Sequence, residues 1–292
     1  YAGGAGDRRR LPEPAGAVAV GVPVSSPGSL VDAAVAAARA GGEVLTANWR
    51  NLPRGSVEEK AKNDFVTHAD RESEERIIAA IRGRFPDDAF LAEEGGLRKG
   101  GQGARVWIID PLDGTSNFVS GFPFWCVSIA AWEREELVAA VVWDPLRDEM
   151  YTAEKGGGAW RNGTRLSVSG RGSLDGAFVA TGFPFRNRHK IDAYLALFKA
   201  VFVHARAIRR AGSAALDLAY VAAGVFDGFF EFRLAPWDIA AGALLIEEAG
   251  GELTDFAGGK GYLERGNVVA GSRGVAEGLR AVSKGIVDEL VL

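Results

Sequence analysis

Two closely spaced carboxylates at the end of an apolar run constrain this chain more than any other feature. The run Val106–Ile109 reads as a strand, and Asp110, Asp113 and Thr115 follow it within six residues. A proline between the two acids fixes φ, and a glycine directly after them permits a tight turn. The sequence therefore predicts that two carboxylates and a hydroxyl leave one edge of a sheet together.

A positive group is expected between these acids. Two charges about 4 Å apart repel by roughly 4 kcal/mol at an effective dielectric constant near 20. Ligands that are all oxygen favour Mg²⁺ or another hard cation. The alternative is a strand followed by an ordinary polar turn, because Asp, Pro and Gly are common in turns. This segment alone does not decide between a metal site and a turn.

Composition excludes several classes of protein. The 292 residues, 47% hydrophobic and 25% charged, describe an ordinary soluble globular protein of one large or two modest domains. The net charge of −4 argues against a general nucleic-acid surface, and no apolar run approaches the roughly 18 residues that cross a bilayer. The single Cys126 excludes an internal disulfide framework and fits a reducing, cytoplasmic compartment. The three histidines lack zinc-like spacing.

Residues 1–28 differ from the rest of the chain, because they are rich in Ala, Gly and Pro. The arginines Arg8–Arg10 and the apolar stretch Ala15–Val24 faintly resemble a signal sequence, but prolines break that pattern. We expect this segment to be a disordered or artificial extension. The catalytic domain is then predicted over residues 29–292.

Other acids also lie at the ends of predicted elements. Glu93 follows the short strand Ala89–Ala92, and Asp238 follows a proline at the start of a helix. Asp70 is predicted to be the N-cap of a helix over residues 71–84. Glu231 lies among phenylalanines in a strand over residues 225–232 and needs a partner there. Further helices are predicted over about residues 29–49, 191–203 and 214–223, and strands over 126–132, 137–143, 149–153, 176–180 and 206–210.

Convergence of these acids would give them one explanation. Four carboxylates, Glu93, Asp110, Asp113 and Asp238, would carry a charge that two divalent cations neutralise. Two cations about 4 Å apart suit in-line displacement at phosphorus, because they stabilise the attacking and leaving oxygens together. Helix capping, turns and solvated surface acids explain each residue separately, but not the whole set.

The motifs around these acids resemble those of the inositol monophosphatases, in their bacterial SuhB-like branch. The first signature of that family, Asp-Pro-Leu/Ile-Asp-Gly-Thr-x-Asn-Phe, is met by Asp110–Phe118. The second is met by Trp237–Gly242 and Glu248–Gly251. The similarity extends over about residues 29–290. It implies a layered αβαβα sandwich of the α+β class, with an α+β half over about 29–170 and an α/β half over about 171–292.

The resemblance also implies roles for individual residues. Glu93, Asp110 and the Leu112 carbonyl would bind a first Mg²⁺, and Asp110, Asp113 and Asp238 a second. A weaker third ion at Glu93 is also implied. Thr115, partnered with Asp70, would activate the attacking water. Substrate contacts are implied for Asp113, Gly114, Thr115, Gly212, Ser213, Ala214, Glu231 and Asp238.

The implied reaction is hydrolysis of myo-inositol monophosphate by direct attack of a metal-activated water. Inhibition by Li⁺ and a homodimer are implied as well. Two departures concern specificity. Arg233 stands where close bacterial relatives usually have Gly, and either Lys60 or Lys62 could serve in the active-site flap.

Two kinds of alternative function stay open. The same chemistry could act on fructose 1,6-bisphosphate, histidinol phosphate or a 3′-phosphonucleotide, with Arg186, Lys190, Arg206 and Arg233 as candidates for holding a second phosphate. SuhB-like proteins also act with the transcription machinery, which would be a non-catalytic role. The sequence offers no basic patch with interleaved aromatic residues that would favour direct RNA contact.

Overall fold

The computed structural model describes residues 29–52, 57–61, 64–101 and 105–287. Its helices are α1 (Leu30–Asn48), α2 (His68–Arg82), α3 (Thr115–Ser120), α4 (Ile191–Phe202), α5 (Ala214–Ala222), α6 (Pro236–Glu248), α7 (Tyr262–Arg265) and α8 (Arg273–Ser283). Among these described residues, no helix is both long enough and apolar enough to cross a membrane. The expectations for residues 1–28 and for Lys62 lie outside the described residues.

Most strands belong to two sheets, and a separate hairpin pairs β1 (Val57–Ala61) with β2 (Asp64–Thr67). The first sheet contains β3 (Ala89–Ala92), β4 (Gly96–Arg98), β5 (Arg105–Asp113), β6 (Cys126–Glu133), β7 (Glu136–Asp144), β8 (Glu149–Glu154), β9 (Gly158–Arg161) and β10 (Thr164–Arg165). Its spatial order is β10-β9-β8-β7-β6-β5-β3-β4, and β3 runs parallel to β5 while the other neighbours are antiparallel.

The second sheet has five strands: β11 (Phe178–Thr181), β12 (Ala207–Arg209), β13 (Gly228–Glu231), β14 (Glu252–Thr254) and β15 (Val268–Gly271). Its order is β12-β11-β13-β15-β14, with the first three strands parallel and β15 antiparallel to both of its neighbours. The division of the chain near residue 170 stays a prediction.

Alternating side chains on the strands build the layers. In β5, Trp107 and Ile109 pack with α1 and α2, whereas Ile108 faces the cluster formed with α5 and α6. That central cluster also takes in Ala270 of the second sheet, whose opposite face, including Phe230, packs with α4 and α8. Helices therefore cover both outer faces and fill the space between the sheets. This confirms the predicted αβαβα sandwich.

Several element boundaries differ from the predictions for physical reasons. The strand does not stop at Ile109 but continues to Asp113, because a register shift between Asp110 and Asp113 accommodates the proline that cannot donate to the ladder. Asp70 is not the N-cap of α2. Thr67 is, and Asp70 is the third helical residue, whose carboxylate accepts the Thr67 backbone N–H in a capping box.

Candidate active site

The acids predicted to converge come from three separate segments and line one cavity of about 210 Å³. Asp110 and Asp113 lie at the end of β5, and Glu93 directly follows β3, the parallel neighbour of β5. The Glu93 N–H donates to the Ile109 carbonyl oxygen at 3.2 Å, which places this acid beside the end of β5. Asp238 enters the same cavity from the first turn of α6.

Three of these carboxylates form a compact cluster. Asp110, Asp113 and Asp238 each offer an oxygen, and these oxygens lie within 4.8 Å of one another. Each carboxylate is also held by a backbone donor. Asp110 Oδ1 accepts the Leu112 N–H at 3.0 Å, Asp113 Oδ2 accepts the Ala215 N–H at 2.7 Å, and Asp238 Oδ2 accepts the Ala235 N–H at 2.7 Å. The oxygens are therefore fixed in mutual proximity.

The electrostatics of this cluster favour a bound cation. Burial raises the pKa of Asp110 well above its ordinary value, and the charges of Glu93, Asp113 and Asp238 raise it further. Burial and Asp238 raise the pKa of Asp113 to about 7, although hydrogen bonds from Ser213 and Ala215 oppose that shift. Protons occupy such a site only when no cation does. The all-oxygen, anionic donor set fits a hard divalent ion.

Thr115 and Asp70 meet as predicted. The Thr115 hydroxyl lies 3.1 Å from Asp70 Oδ1 and 3.1 Å from the Leu112 carbonyl oxygen, so it can donate to either. The other carboxylate oxygen of Asp70 accepts the Thr67 N–H at 2.9 Å and the Thr67 hydroxyl at 2.5 Å. Burial is the largest cause that raises the pKa of Asp70 to about 6, which leaves it mainly ionised at neutral pH.

Gly114 joins the strand to this hydroxyl. Its φ of 96° lies in the left-handed region, and it is the N-cap of α3 without any side-chain cap. A Cβ at this position would come within 3.0 Å of the Phe124 carbonyl oxygen. Glycine is therefore required both by conformation and by space, and it leaves the backbone at the start of α3 open toward the cavity.

Four of the predicted substrate contacts form a second wall of the same cavity, at the start of α5 and the end of β13: Gly212, Ser213, Ala214 and Glu231. Ser213 occupies the N-cap position of α5 but makes no capping hydrogen bond. Its hydroxyl instead donates to Asp113 Oδ2 at 2.6 Å. Asp113, the last residue of β5, thus caps the N-terminus of α5, and this contact joins the two walls of the cavity.

Four cavity-related residues were not singled out from the sequence. Asn117 donates its side-chain amide to the carbonyl oxygens of Phe124 at 2.7 Å and Ala211 at 2.9 Å, so it anchors the segment before Gly212. Asn117 could have been identified from the sequence, because it lies within the first signature motif. The other three line the cavity directly: Thr181, Arg210 and Asp217.

Arg233 also lies in the cavity wall, and its backbone explains why glycine suits that position. Its φ is 57°, in the left-handed region. An L-residue adopts this conformation only at a cost in free energy, whereas glycine adopts it freely. The Lys60 side chain, like Lys62, lies outside what the structure describes.

Comparison with known proteins agrees with this architecture. Residues 27–287 match the model of the inositol monophosphatase family. A Pseudomonas aeruginosa protein named Nus factor SuhB is 50% identical over 83% of this chain and 91% of its own, and a Rhizobium meliloti inositol-1-monophosphatase is 45% identical over 87% and 96%. The crystal structure of an extragenic suppressor protein suhB from Bartonella henselae superposes with a TM-score of 0.84, at 39% identity over 87% of this chain and 98% of that one. The chain belongs to the inositol monophosphatase family.

Proposed function

We propose that this protein is a Mg²⁺-dependent phosphomonoesterase that hydrolyses myo-inositol monophosphate to myo-inositol and phosphate. The observation that carries the proposal is the cluster of Asp110, Asp113 and Asp238, three carboxylates with oxygens within 4.8 Å of one another beside the Thr115–Asp70 pair. Family membership and the 45% identical inositol-1-monophosphatase support the substrate class.

The metal ligands would divide into two sets that share one residue. Glu93, Asp110 and the Leu112 carbonyl would hold one ion, and Asp110, Asp113 and Asp238 another, with a third, weaker ion at Glu93. The carboxylates fit this role because they offer anionic oxygens, because Asp110 and Asp113 are buried, and because backbone N–H groups hold three of the carboxylates. Bound Mg²⁺ would neutralise these carboxylates, acidify water and stabilise charge on the phosphate oxygens.

Thr115 would position the attacking water. Because the Thr115 hydroxyl can donate to Asp70 Oδ1, its own oxygen can accept a hydrogen bond from a water molecule. As that water forms its bond to phosphorus, its proton passes to Thr115 Oγ1 and the threonine proton passes to Asp70 Oδ1. The bond from phosphorus to the polyol oxygen breaks, and that oxygen takes a proton from solvent. No phosphoenzyme forms.

The two walls of the cavity would hold the two parts of the substrate. Backbone N–H groups of Gly114 and Thr115 would donate to phosphate oxygens at the N-terminus of α3. Contacts to the polyol would come from Gly212, Ser213, Ala214 and Glu231, which line the cavity together.

The direct test is phosphate release from inositol 1-phosphate by the wild type and by Asp113→Asn, with Mg²⁺ and with EDTA. We expect turnover only for the wild type with Mg²⁺. Asp192→Asn, at an exposed acid of α4, is the matched control and should keep full activity. Turnover that survives in EDTA or in Asp113→Asn would contradict the mechanism.

One alternative keeps the phosphatase chemistry but assigns a substrate that carries a second phosphate group. Arg210 and Arg233 both lie in the cavity wall, where they could hold a second phosphate group. A panel of inositol 1-phosphate, fructose 1,6-bisphosphate, histidinol phosphate and a 3′-phosphonucleotide, ranked by kcat/KM, separates these substrates. Our proposal requires that inositol 1-phosphate ranks first.

A non-catalytic role with the transcription machinery is the second candidate function. Relatives named Nus factor SuhB, 44–50% identical to this chain, favour it. Co-purification with RNA polymerase that persists in Asp113→Asn would support this role independently of the phosphatase.

We also propose that the protein is a homodimer. Size-exclusion chromatography should then give roughly twice the 30.9 kDa mass of one chain.

A further inference from the structure

Asp217 is a buried acid in the cavity wall that has no place in the metal cluster or the Thr115–Asp70 pair. It lies in the first turn of α5 and is only 1% exposed. Its Oδ1 has no hydrogen-bond partner anywhere in the described part of the chain. A buried oxygen without a partner destabilises the fold, so the site indicates a ligand that supplies the missing hydrogen bond.

The hydroxyl groups beside Asp217 on this wall already have partners. The Thr181 hydroxyl donates to the Phe230 carbonyl oxygen at 2.8 Å and lies 2.9 Å from the Tyr194 hydroxyl. The Ser213 hydroxyl donates to Asp113. Asp217 therefore has hydrogen-bonding capacity that these two hydroxyl groups do not use.

The surroundings of Asp217 favour its neutral form. Burial raises its pKa well above the ordinary value, the charges of Glu231 and Asp113 raise it further, and Arg210 opposes them. A protonated carboxyl group carries one O–H donor together with acceptor oxygens. A polyol hydroxyl likewise donates and accepts, so the two groups are complementary.

We propose that Asp217 is a specificity-determining residue that hydrogen bonds a hydroxyl of the leaving polyol, beside Glu231. The inference rests on the proposed phosphatase function and adds to it a second carboxyl group for recognition of the leaving group. Phosphomonoesters whose leaving group lacks hydroxyls would gain nothing from Asp217.

The test compares two substrates that differ only in their hydroxyls, myo-inositol 1-phosphate and cyclohexyl phosphate. We expect Asp217→Ala to lower kcat/KM for inositol 1-phosphate about tenfold, the effect of one lost hydrogen bond, and to change that for cyclohexyl phosphate less than twofold. Asp217→Asn should retain selectivity within about threefold, because its amide keeps one donor and one acceptor in similar positions.

Two further variants separate recognition from folding. Asp217→Leu fills the site with an apolar side chain and should keep Tm at or above the wild type while losing selectivity. Asp227→Asn is the matched control at a buried acid that accepts the Phe178 N–H at 2.7 Å, and it should lower Tm without changing selectivity.

Equal losses on both substrates in Asp217→Ala, or wild-type selectivity in Asp217→Leu, would overturn the assignment of Asp217 alone. A wild type that hydrolyses cyclohexyl phosphate as efficiently as inositol 1-phosphate would instead contradict the polyol substrate, and this inference with it.

Discussion

The two walls of the cavity hold buried carboxylates in opposite ways. One wall, called the metal wall below, carries the proposed metal ligands, and its Asp110 and Asp113 each accept a backbone N–H, so these oxygens are fixed even though like charges surround them. The other wall, called the polyol wall below, carries the residues proposed to contact the polyol, and there Asp217 Oδ1 accepts no hydrogen bond from the described residues. Anchored acids are suited to hold a cation in fixed geometry, whereas an unanchored buried acid is suited to a neutral ligand. The comparison predicts opposite consequences of mutation at the two walls.

The largest effect is expected on the metal wall. Asp110→Asn removes the carboxylate shared by both proposed ion sites. We expect kcat to fall by at least about 10³-fold in saturating Mg²⁺, because the variant loses a main source of electrostatic stabilisation of the transition state. The same change should raise Tm of the metal-free protein, because it relieves repulsion from Glu93, Asp113 and Asp238. Steady-state kinetics and thermal unfolding measure the two effects. A lower Tm for the metal-free variant would contradict this account of the cluster.

Thr115→Val should give the next largest loss. Valine keeps the shape but cannot relay a proton to Asp70, so kcat should fall about 10²–10³-fold with KM little changed. Thr67→Val is informative beside it, since Thr67 contacts only the far oxygen of Asp70 and should cost stability more than turnover. A rise in KM with unchanged kcat for Thr115→Val would assign this hydroxyl to binding instead.

Glu231→Gln should affect the polyol wall only. We expect kcat/KM for inositol 1-phosphate to fall roughly 10–100-fold, because a charge-assisted hydrogen bond to the leaving group becomes a neutral one. Turnover of cyclohexyl phosphate should stay within about twofold. An equal loss of kcat/KM on both substrates would mean that Glu231 acts in catalysis and not in polyol binding, which would contradict the separate roles of the two walls.

Stability of the metal-free protein should depend on pH with a definite sign. The folded pKa values of Asp113, about 7, and Asp70, about 6, lie above the ordinary value of 3.8, so the folded state binds more protons than the unfolded state between these limits. Stability is therefore expected to fall as pH rises from 4 to 7. Chemical denaturation at several pH values measures the slope, and saturating Mg²⁺ should flatten it. A slope of the opposite sign would contradict the raised pKa values.

The smallest expected effect concerns Arg233. Arg233→Gly relieves a positive φ and should stabilise the fold by about 0.5–1 kcal/mol, since glycine adopts this conformation without a Cβ clash but loses more chain entropy. Urea denaturation gives the change in free energy. Activity on inositol 1-phosphate should change less than threefold, and a larger change would assign the guanidinium to the substrate.

How far the sequence predicts this site depends on the range of the contacts. Asp110, Asp113 and Thr115 lie within six residues of one another at the end of β5 and the start of α3, and the sequence predicted their proximity because proline and glycine restrict the backbone between them. The Thr115–Asp70 contact spans 45 residues and the Asp113–Ser213 contact spans 100, and only strand order and layer packing bring those pairs together. The family resemblance implied the Thr115–Asp70 pair, whereas the Asp113–Ser213 contact was not predicted.

Asp70 and Asp217 show where local reasoning fails. Both lie in the first turn of a helix, where an acid is ordinarily a cap or a solvated complement to the helix dipole. Asp70 is instead fully buried, with one carboxylate oxygen facing Thr115, and Asp217 is buried in the cavity wall. The sequence alone gives no sign of that burial, because it depends on which layer covers each helix. The fold class and the Thr115–Asp70 contact could be predicted from the motifs, whereas the burial of Asp70 and Asp217 could not.

Titration calorimetry of Mg²⁺ into metal-free protein in the presence of inorganic phosphate measures how many ions the acidic cluster binds. We predict at least two ions per chain for the wild type and at least one fewer for Asp113→Asn, with Asp192→Asn unchanged. Absence of Mg²⁺ binding by the wild type, or identical stoichiometry in Asp113→Asn, would contradict the claim that these acids form a metal centre.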